Sequence, residues 1–374
     1  MITLCLTGDV MLGRGVDQIL PHPSDPALHE RYVRSALDYV ELAERANGPI
    51  SRPVDYHYVW GRALPVLQEL APAPLIINLE TSITTSDAAL PKGINYRMHP
   101  ANEPVLEAGR VDACVLANNH VLDWGPEGLL ETLAALEGAG IPPVGAGRDL
   151  DAARAPVALE AGAGSRILLF AFGLSDSGIP PGWAAAPHRP GVSLLPDAAA
   201  RSMAERAAAM AAPIVALKQP GDVVVASVHW GSNWGYAIPR RHRLIAHTLV
   251  DAGVDLVHGH SSHHPRAGEV YRDRLILYGC GDFLDDYEGI SGYEEFRDDL
   301  VVLYLPAVDP DSGKLMGLDM RPFRIRKMRL EDPSTREVEW LRATLDREFG
   351  RFGAAVVGSD REPMLRLRPP ASDS

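Results

Sequence analysis

Short runs of apolar and β-branched residues recur along the 374-residue chain, and each run ends in polar residues or glycine. Several of these runs are continuous rather than alternating, which is typical of strands that are covered on both faces. The pattern predicts an α/β fold arranged as a sandwich. Its strands are expected at residues 2–6, 75–77, 113–117, 167–172, 223–228, 256–257, 275–277 and 300–305.

Stretches with helical spacing of apolar residues lie between the predicted strands. Within residues 128–137, four leucines recur at the spacing of one helix face, and residues 240–252 show the same periodicity. Residues 198–212 are rich in alanine, the residue with the highest helix propensity. Strand, polar motif and helix therefore alternate along the chain, as they do in α/β proteins.

Two regions depart from this alternation. Residues 17–60 have a proline-punctuated start, a helical middle at 28–46 and a proline-rich exit, which predicts an insertion beside the first motif. From about residue 306 the chain becomes more charged and ends in an amphipathic helix at 334–349 and a proline-bearing tail. We predict a domain at residues 1–305 and a C-terminal extension at 306–374 that packs on it, with a flexible tail.

Composition narrows the classes of function. The chain has 49 acidic and 36 basic residues and a net charge of −13, so a broad basic surface for nucleic acid is excluded. A signal peptide and an uninterrupted apolar segment of ~18 residues are both missing, which predicts a cytoplasmic protein without a membrane segment. The cysteines, Cys5, Cys114 and Cys280, lie in apolar runs and are predicted to be buried structural thiols.

Five polar clusters follow strand-like runs: "TGDVM", "INLETS", "LANNHVLDWG", "SVHWGSNWG" and "VHGHSSHHP". In an open α/β sheet, ligands bind beyond the carboxyl ends of the strands, so we expect these clusters to converge. Carboxylates, an amide and imidazoles without thiolate suit hard or borderline divalent metals, and two such ions would share a carboxylate and activate a water. The residues concerned are Asp9, Asn78, Glu80, Asn118, Asn119, His120, Asp123, His229, His258, His260, His263 and His264.

Each cluster also has a simpler interpretation. A single aspartate after a strand is usually a turn residue or helix N-cap, and "NNH" alone is typical of hydrogen bonding within a loop. A histidine before tryptophan, as at His229, is most often a buried and hydrogen-bonded side chain. The joint occurrence of the clusters, in this order and after strands, favours the metal site.

The motifs "GDVMLGR", "NLETSI", "LANNHVLDWG", "SVHWG", "GHSSH" and "LILYGCGDF", spread over residues 2–305, resemble those of the CapA/PgsA family of poly-γ-glutamate capsule proteins. This family is a branch of the calcineurin-like metallophosphoesterase superfamily. The resemblance implies an αββα sandwich of that type. It also implies a centre of two divalent ions, Mn, Fe or Zn, at the strand ends.

The resemblance further implies roles for individual residues. Asp9 would bind the first metal, Glu80 would take the bridging-carboxylate position, and Asn119 would bind the second metal. His120, grouped with Asp123, would act in catalysis as general acid or leaving-group stabiliser. The remaining metal ligands would be His229, His260 and His263. Apart from the resemblance, we expect Asn118 and Asp282 to orient these ligands from outside the metal shell.

Three departures from the superfamily pattern are visible. Met11 stands where Asp-x-His supplies a histidine, so the first metal loses one ligand. The bridging carboxylate comes from Asn-Leu-Glu rather than Gly-Asp. In the last motif, Ser261 stands where the first histidine of His-x-His is expected and His260 lies one place earlier, which makes His263 the safer ligand.

Arg14, Arg97 and His99 are predicted to bind substrate, because they follow the first two motifs and suit a carboxylate or phosphate. The alternative for each is pairing with nearby acids. The leading hypothesis is a hydrolase in which a metal-activated water attacks a phosphoester or γ-glutamyl-type amide of a small anionic or γ-glutamyl substrate. The second is a non-catalytic accessory protein in poly-γ-glutamate (capsule) biosynthesis, and the third is a metal-free interaction protein. The oligomeric state stays open.

Overall fold

The computed structural model describes residues 1–71, 73–162, 164–359 and 363–369. Its helices are α1 (Arg14–Asp17), α2 (Ala36–Asn47), α3 (Ala63–Leu70), α4 (Pro104–Ala108), α5 (Gly125–Gly138), α6 (Leu150–Arg154), α7 (Ala200–Val215), α8 (Arg240–Asp251) and α9 (Thr335–Gly350). Its strands are β1 (Ile2–Thr3), β2 (Cys5–Val10), β3 (Leu75–Leu79), β4 (Ser82–Ile83), β5 (Arg97–Met98), β6 (Ala113–Val115), β7 (Pro143–Val144), β8 (Ala146–Gly147), β9 (Val157–Glu160), β10 (Arg166–Leu174), β11 (Gly191–Val192), β12 (Leu194–Leu195), β13 (Val223–His229), β14 (Leu256–His260), β15 (Gly268–Tyr271), β16 (Arg274–Leu277), β17 (Asp282–Leu284), β18 (Leu300–Val308), β19 (Leu315–Ile325), β20 (Leu330–Glu331), β21 (Ala355–Gly358) and β22 (Leu365–Arg368).

Two large sheets organise the chain. The first has the order β21-β22-β19-β18-β2-β3-β6-β7, in which β2, β3, β6 and β7 run parallel and β18 joins β2 in the antiparallel sense. The second has the order β12-β10-β13-β14-β16-β15 and is parallel except for β15 and for β9, which pairs with β10. The mixed α/β character predicted from the sequence is confirmed.

The second sheet is buried on both faces, as its continuous apolar strands predict. In β10, Ile167 and Leu169 belong to the core that contains the first sheet, whereas Leu168 and Phe170 pack with α7 and α8. Because neighbouring side chains on a strand point to opposite faces, this division means that the sheets face each other. The helices α7 and α8 then cover the outer face of the second sheet.

Helix boundaries follow local capping signals. The predicted helix at 28–46 begins only at Ala36, and this part of the prediction is wrong. The hydroxyl of Ser35 accepts a hydrogen bond from the backbone N–H of Leu37, and a bridge from Ala27 to Ser35 holds the preceding segment out of the helix. The predicted helices at 128–137, 198–212, 240–252 and 334–349 are present as α5, α7, α8 and α9.

The strands extend further than the apolar runs that predict them. β2 continues through Asp9, β3 through Asn78, and β13 and β14 end on His229 and His260. The expectation that every cluster follows its strand is therefore wrong for these residues. Their backbones are held in the sheet ladders, so their side chains start from fixed positions.

The C-terminal region extends the first sheet. β19 pairs antiparallel with β18 along its length and β22 pairs with β19, so the predicted boundary at residue 305 falls inside β18. The division into a domain and an extension stays a prediction. The described part of the predicted tail, which follows residue 349, contains β21 and β22, and these strands pair with each other and with β19. Residues 360–362 and 370–374 of that tail lie outside the described residues. All the cysteines are free and buried, as predicted. None of the described helices is long and apolar enough to span a bilayer.

Candidate metal centre

A ladder of serine and histidine side chains joins β13 to β14 at their carboxyl ends. Ser227 is the register partner of His258, and His229 is the partner of His260. The Ser227 hydroxyl lies 3.0 Å from Nδ1 of His258 and 2.9 Å from Nε2 of His260, and the Nδ1 atoms of His260 and His229 are 2.8 Å apart. Because the two strands are parallel and their polar residues alternate with apolar or glycine residues, the imidazoles of His229 and His260 lie side by side at the carboxyl ends of the strands.

The first sheet brings Asp9 to the same point. β17 pairs parallel with β2 and places Asp282 opposite Asp9. This approach depends on Gly8, because a Cβ at that position would lie 1.6 Å from the carbonyl oxygen of Gly281. The glycine of "TGD" is therefore required so that the two aspartates can lie side by side.

Replacing Gly8 by alanine is expected to destabilise the fold by about 3 kcal/mol or more, the upper range of overpacking costs. A backbone carbonyl cannot move aside as a flexible side chain can. Urea unfolding followed by circular dichroism measures the change. In the control Gly138→Ala, no atom lies within 4 Å of the added Cβ and the residue ends α5, so stability should be unchanged or rise by about 0.5–1 kcal/mol. Equal effects of the two substitutions would contradict the close approach.

Among the described residues, two groups bring three ligand atoms within 4.8 Å of one another: Asp9 with His229 and His260, and Asp9 with His263 and Asp282. Asp9 belongs to both groups. Oδ2 of Asp9 and Oδ2 of Asp282 are buried and have no hydrogen-bond partner. Because orphaned buried oxygens are costly, and because imidazole and carboxylate suit Mn, Fe and Zn, the residues fit divalent ions.

Burial shifts the pKa values of this cluster toward neutral side chains. Desolvation, followed by repulsion from Asp282, raises the pKa of Asp9 to about 8. Desolvation and the charge of Asp9 raise the pKa of Glu80 well above its usual value. Desolvation likewise lowers the pKa values of His229 and His260 well below the usual range. The imidazoles are therefore neutral, which is the form that binds metals.

Amide side chains connect the motifs around Asp9. Asn78 donates hydrogen bonds to Asp9 Oδ1 at 2.7 Å and to Glu80 Oε2 at 2.5 Å. Asn118 donates to Asn78 Oδ1 at 3.1 Å and accepts from the backbone N–H of His120 at 3.0 Å. Asn118, predicted to orient ligands, thus links the second motif to the third.

Asn119 and Glu80 lie at the edge of the first group. Asn119 Oδ1 is 2.9 Å from Nε2 of His229, and Glu80 Oε1 is 3.7 Å from the same nitrogen. Within the described chain, Glu80 belongs to neither three-ligand group. The carboxylate shared by both groups is Asp9, whereas the resemblance implied Glu80 for the bridging position.

The second group is completed by Asp282. Its Oδ1 lies 3.0 Å from Nδ1 of His263, the contact expected of a residue that orients a ligand histidine. The geometry also offers Asp282 as a ligand in its own right, which sequence reasoning missed. Met11 is buried, and the hydroxyl of Ser261 donates to the carbonyl oxygen of Gly231.

His120 has a defined hydrogen-bonding partner. Its Nδ1 lies 2.6 Å from Asp123 Oδ2, and its ring stacks on Tyr96 with centroids 3.9 Å apart. Desolvation lowers the pKa of His120 to about 4, so the ring is neutral at pH 7. Because the carboxylate of Asp123 accepts the Nδ1 hydrogen, Nε2 of His120 is left unprotonated. This nitrogen is therefore set to accept a proton, whereas the resemblance implied a general acid.

Lys92 supplies positive charge that the sequence did not single out. Its ammonium donates to the carbonyl oxygen of Asn119 and, at 2.7 Å, to Asp123 Oδ1. The same nitrogen lies 3.3 Å from Nδ1 of His120. Lys92 lies in a Pro-Lys-Gly stretch between the second and third motifs. Nothing in that stretch indicates that its lysine would contact catalytic residues.

Arg14, predicted to bind substrate, is buried against the protein's own carboxylates. It binds both oxygens of Asp286, donates to Glu30 Oε1 at 3.0 Å, and lies 3.5 Å above the ring of Tyr39. The alternative of pairing with acids describes this placement. A substrate anion would have to displace these carboxylates, so we leave Arg14 out of the proposed substrate-binding set.

Arg97 and His99 are also engaged away from the metal ligands. Arg97 donates to Asp87 Oδ1 at 2.9 Å and lies 4.1 Å above the ring of Trp124. His99 caps a short helical turn, where its Nδ1 accepts from the backbone N–H of Ala101. Each side chain stabilises a local structure, and we leave both out of the proposed substrate-binding set.

Comparison with known proteins identifies the family of the chain. The profile of the family described as Bacterial capsule synthesis protein PGA_cap matches residues 3–287. The chain belongs to the PGA_cap family. The match confirms the CapA/PgsA-type resemblance found in the motifs and spans all the ligands of both three-residue groups.

Relatives of this PGA_cap protein carry related names. The chain is 53% identical to a probable polyglutamine synthesis accessory protein of Mycobacterium tuberculosis, over 100% of this chain and 97% of the relative. It is 27% identical to the PGA biosynthesis protein CapA of Bacillus subtilis, over 81% of this chain and 67% of the relative. It is 26% identical to the capsule biosynthesis protein CapA of Bacillus anthracis, over 87% and 68%.

Proposed function

We propose that this protein is a metal-dependent hydrolase of the metallophosphoesterase type that acts in poly-γ-glutamate capsule synthesis. The observation that carries the proposal is the position of Asp9. Its carboxylate belongs to two sets of donors, which are buried except for the partly exposed His263, and its Oδ2 has no hydrogen-bond partner. A carboxylate between two donor sets is the arrangement that a centre of two divalent ions requires.

Each of the two groups would hold one ion. Asp9, His229 and His260 would hold one ion, and Asp9, His263 and Asp282 would hold the other. Ions bound there would supply Lewis acidity and a polarised water for attack on an ester or amide.

His120 lies beside these ligands with Nε2 free to exchange a proton with the substrate, and Asp123 fixes its ring. Lys92 adds positive charge within reach of an anionic group. These features support a phosphoester or a γ-glutamyl-type amide as the bond that is cleaved. The names of the Bacillus relatives support a place in capsule synthesis.

A second candidate is a non-catalytic accessory protein that binds an acidic polymer. The name of the Mycobacterium tuberculosis relative favours it. The engagement of Arg14 and Arg97 with internal carboxylates counts against it, because both guanidinium groups are already neutralised.

Turnover assays separate the two candidates. The purified chain is stripped with chelator, reconstituted with Mn²⁺, Fe²⁺ or Zn²⁺, and incubated with an aryl phosphate and with a γ-glutamyl anilide. We expect release of the aryl group from one substrate, dependent on metal and lost on re-chelation. Binding of poly-γ-glutamate without turnover of either substrate would support the accessory role and contradict the hydrolase.

A further inference from the structure

The hydrogen bonds of the β13–β14 ladder determine which nitrogen of His258 carries a proton. Nε2 of His258 lies 2.7 Å from the carbonyl oxygen of Thr7. A carbonyl oxygen only accepts, so this nitrogen must donate. The ring is fully buried and its other partner is the hydroxyl of Ser227, so it is neutral and its Nδ1 carries a lone pair.

The hydrogen bonds of Ser227 determine the tautomer of His260 in turn. The hydroxyl has one proton, which it donates to the bare Nδ1 of His258. Its oxygen can then only accept from Nε2 of His260, 2.9 Å away. The neutral ring of His260 therefore has a bare Nδ1, and this atom lies 4.0 Å from Asp9 Oδ1 and 2.8 Å from Nδ1 of His229.

We propose that Ser227 and His258 are positioning residues that hold His260 in the Nε2–H tautomer. The lone pair of Nδ1 is thereby presented to the point where Asp9 and His229 converge. In the opposite tautomer, a hydrogen atom would occupy that point and exclude a cation. The use of this tautomer rests on the proposed metal centre, but the tautomer itself is a property of the metal-free protein.

Nitrogen NMR of the ¹⁵N-histidine-labelled, metal-free chain reads the tautomer directly. We expect His260 to show Nε2–H in the natural protein. In His258→Phe the Ser227 hydroxyl loses its acceptor and can donate to His260 Nε2, so the Nδ1–H tautomer should appear. An Nδ1–H tautomer in the natural protein, or no change in His258→Phe, would overturn the proposal.

Metal titration provides an independent reading. Ser227→Ala should weaken Mn²⁺ or Zn²⁺ binding by about 10- to 100-fold, the usual cost of removing a partner of a metal-binding histidine. Ser227→Thr keeps the hydroxyl and should retain affinity. Ser193→Ala is the matched control, because Ser193 is equally buried but its hydroxyl has no hydrogen-bond partner.

The outcomes of the two experiments are distinguishable. Equal affinity in Ser227→Ala and the natural protein would overturn the positioning role and leave the metal centre standing. If the natural protein binds neither ion, the proposed metal centre fails, and the NMR experiment still decides the tautomer. Circular dichroism of each variant establishes that it is folded.

Discussion

Replacing Asp9 by asparagine is expected to abolish binding of both metal ions while leaving the metal-free fold at least as stable. Asp9 is the residue that both ligand groups share, so its loss removes a donor from each. In the natural protein, an ion at one hundred times its Kd should stabilise the fold by about 2.7 kcal/mol. In Asp9→Asn this increment should vanish.

Without metal, Asp9→Asn should be at least as stable as the natural protein. The Asp9 carboxylate is buried, crowded by Asp282, and has one oxygen without a partner. A neutral amide keeps the hydrogen bond from Asn78 and does not have to take up the proton that the buried carboxyl binds on folding above pH 3.8. Thermal unfolding with and without Mn²⁺ measures both effects. Glu348→Gln removes another buried carboxylate, remote in α9, and should keep the full metal increment. Metal stabilisation that persists in Asp9→Asn would contradict the shared-ligand geometry.

The raised pKa of Asp9 sets the sign of the pH dependence in the same experiment. Between its ordinary value of 3.8 and about 8, the folded metal-free protein holds a proton that the unfolded chain has released. Stability of the metal-free protein from this group therefore falls as the pH rises through that interval. An ion held by Asp9, His229 and His260 must displace this proton, so its affinity should rise about tenfold per pH unit between pH 6 and 8. His229 and His260 are already neutral there and add no slope. Affinity that is unchanged from pH 6 to 8 would contradict this assignment.

The sequence predicts the α/β architecture because burial on both faces leaves a continuous apolar run, as in β10 and β13. It fails for β19, where Asp319, Arg321 and Pro322 interrupt the run within Leu315–Ile325. That strand is positioned by pairing with β18 on one side and β22 on the other, which local residue patterns do not encode.

The candidate site divides in the same way. The ligands of β13 and β14 are predictable, since Ser-x-His and His-x-His at period two point to one face of neighbouring strands. Asp282 as a ligand is not, because its place opposite Asp9 depends on pairing across 273 positions of the chain. The partners of Arg14 are equally remote, since Asp286 lies 272 positions away. Spacing alone therefore cannot distinguish a guanidinium that awaits a substrate from one that is already paired.

Replacing His120 by glutamine is expected to lower kcat by about 10²- to 10⁴-fold, the usual contribution of a positioned acid–base group. Glutamine fills similar space but cannot exchange a proton. His120 belongs to neither three-ligand group, so the stabilisation by Mn²⁺ should be unchanged. This combination distinguishes the variant from Asp9→Asn, which should lose turnover and metal together.

The partner of His120 offers a sharper form of the test. In Asp123→Asn the ring is retained, but an amide can donate to Nδ1, which moves the ring hydrogen to Nε2. Because the bare Nε2 of the natural protein can accept a proton and a protonated Nε2 cannot, kcat should fall to a similar extent with metal binding intact. Steady-state kinetics on the substrate cleaved by the natural protein measures both variants. If both keep turnover within a few-fold, the proton passes through another group, and Lys92, 3.3 Å from His120 Nδ1, becomes the next residue to replace.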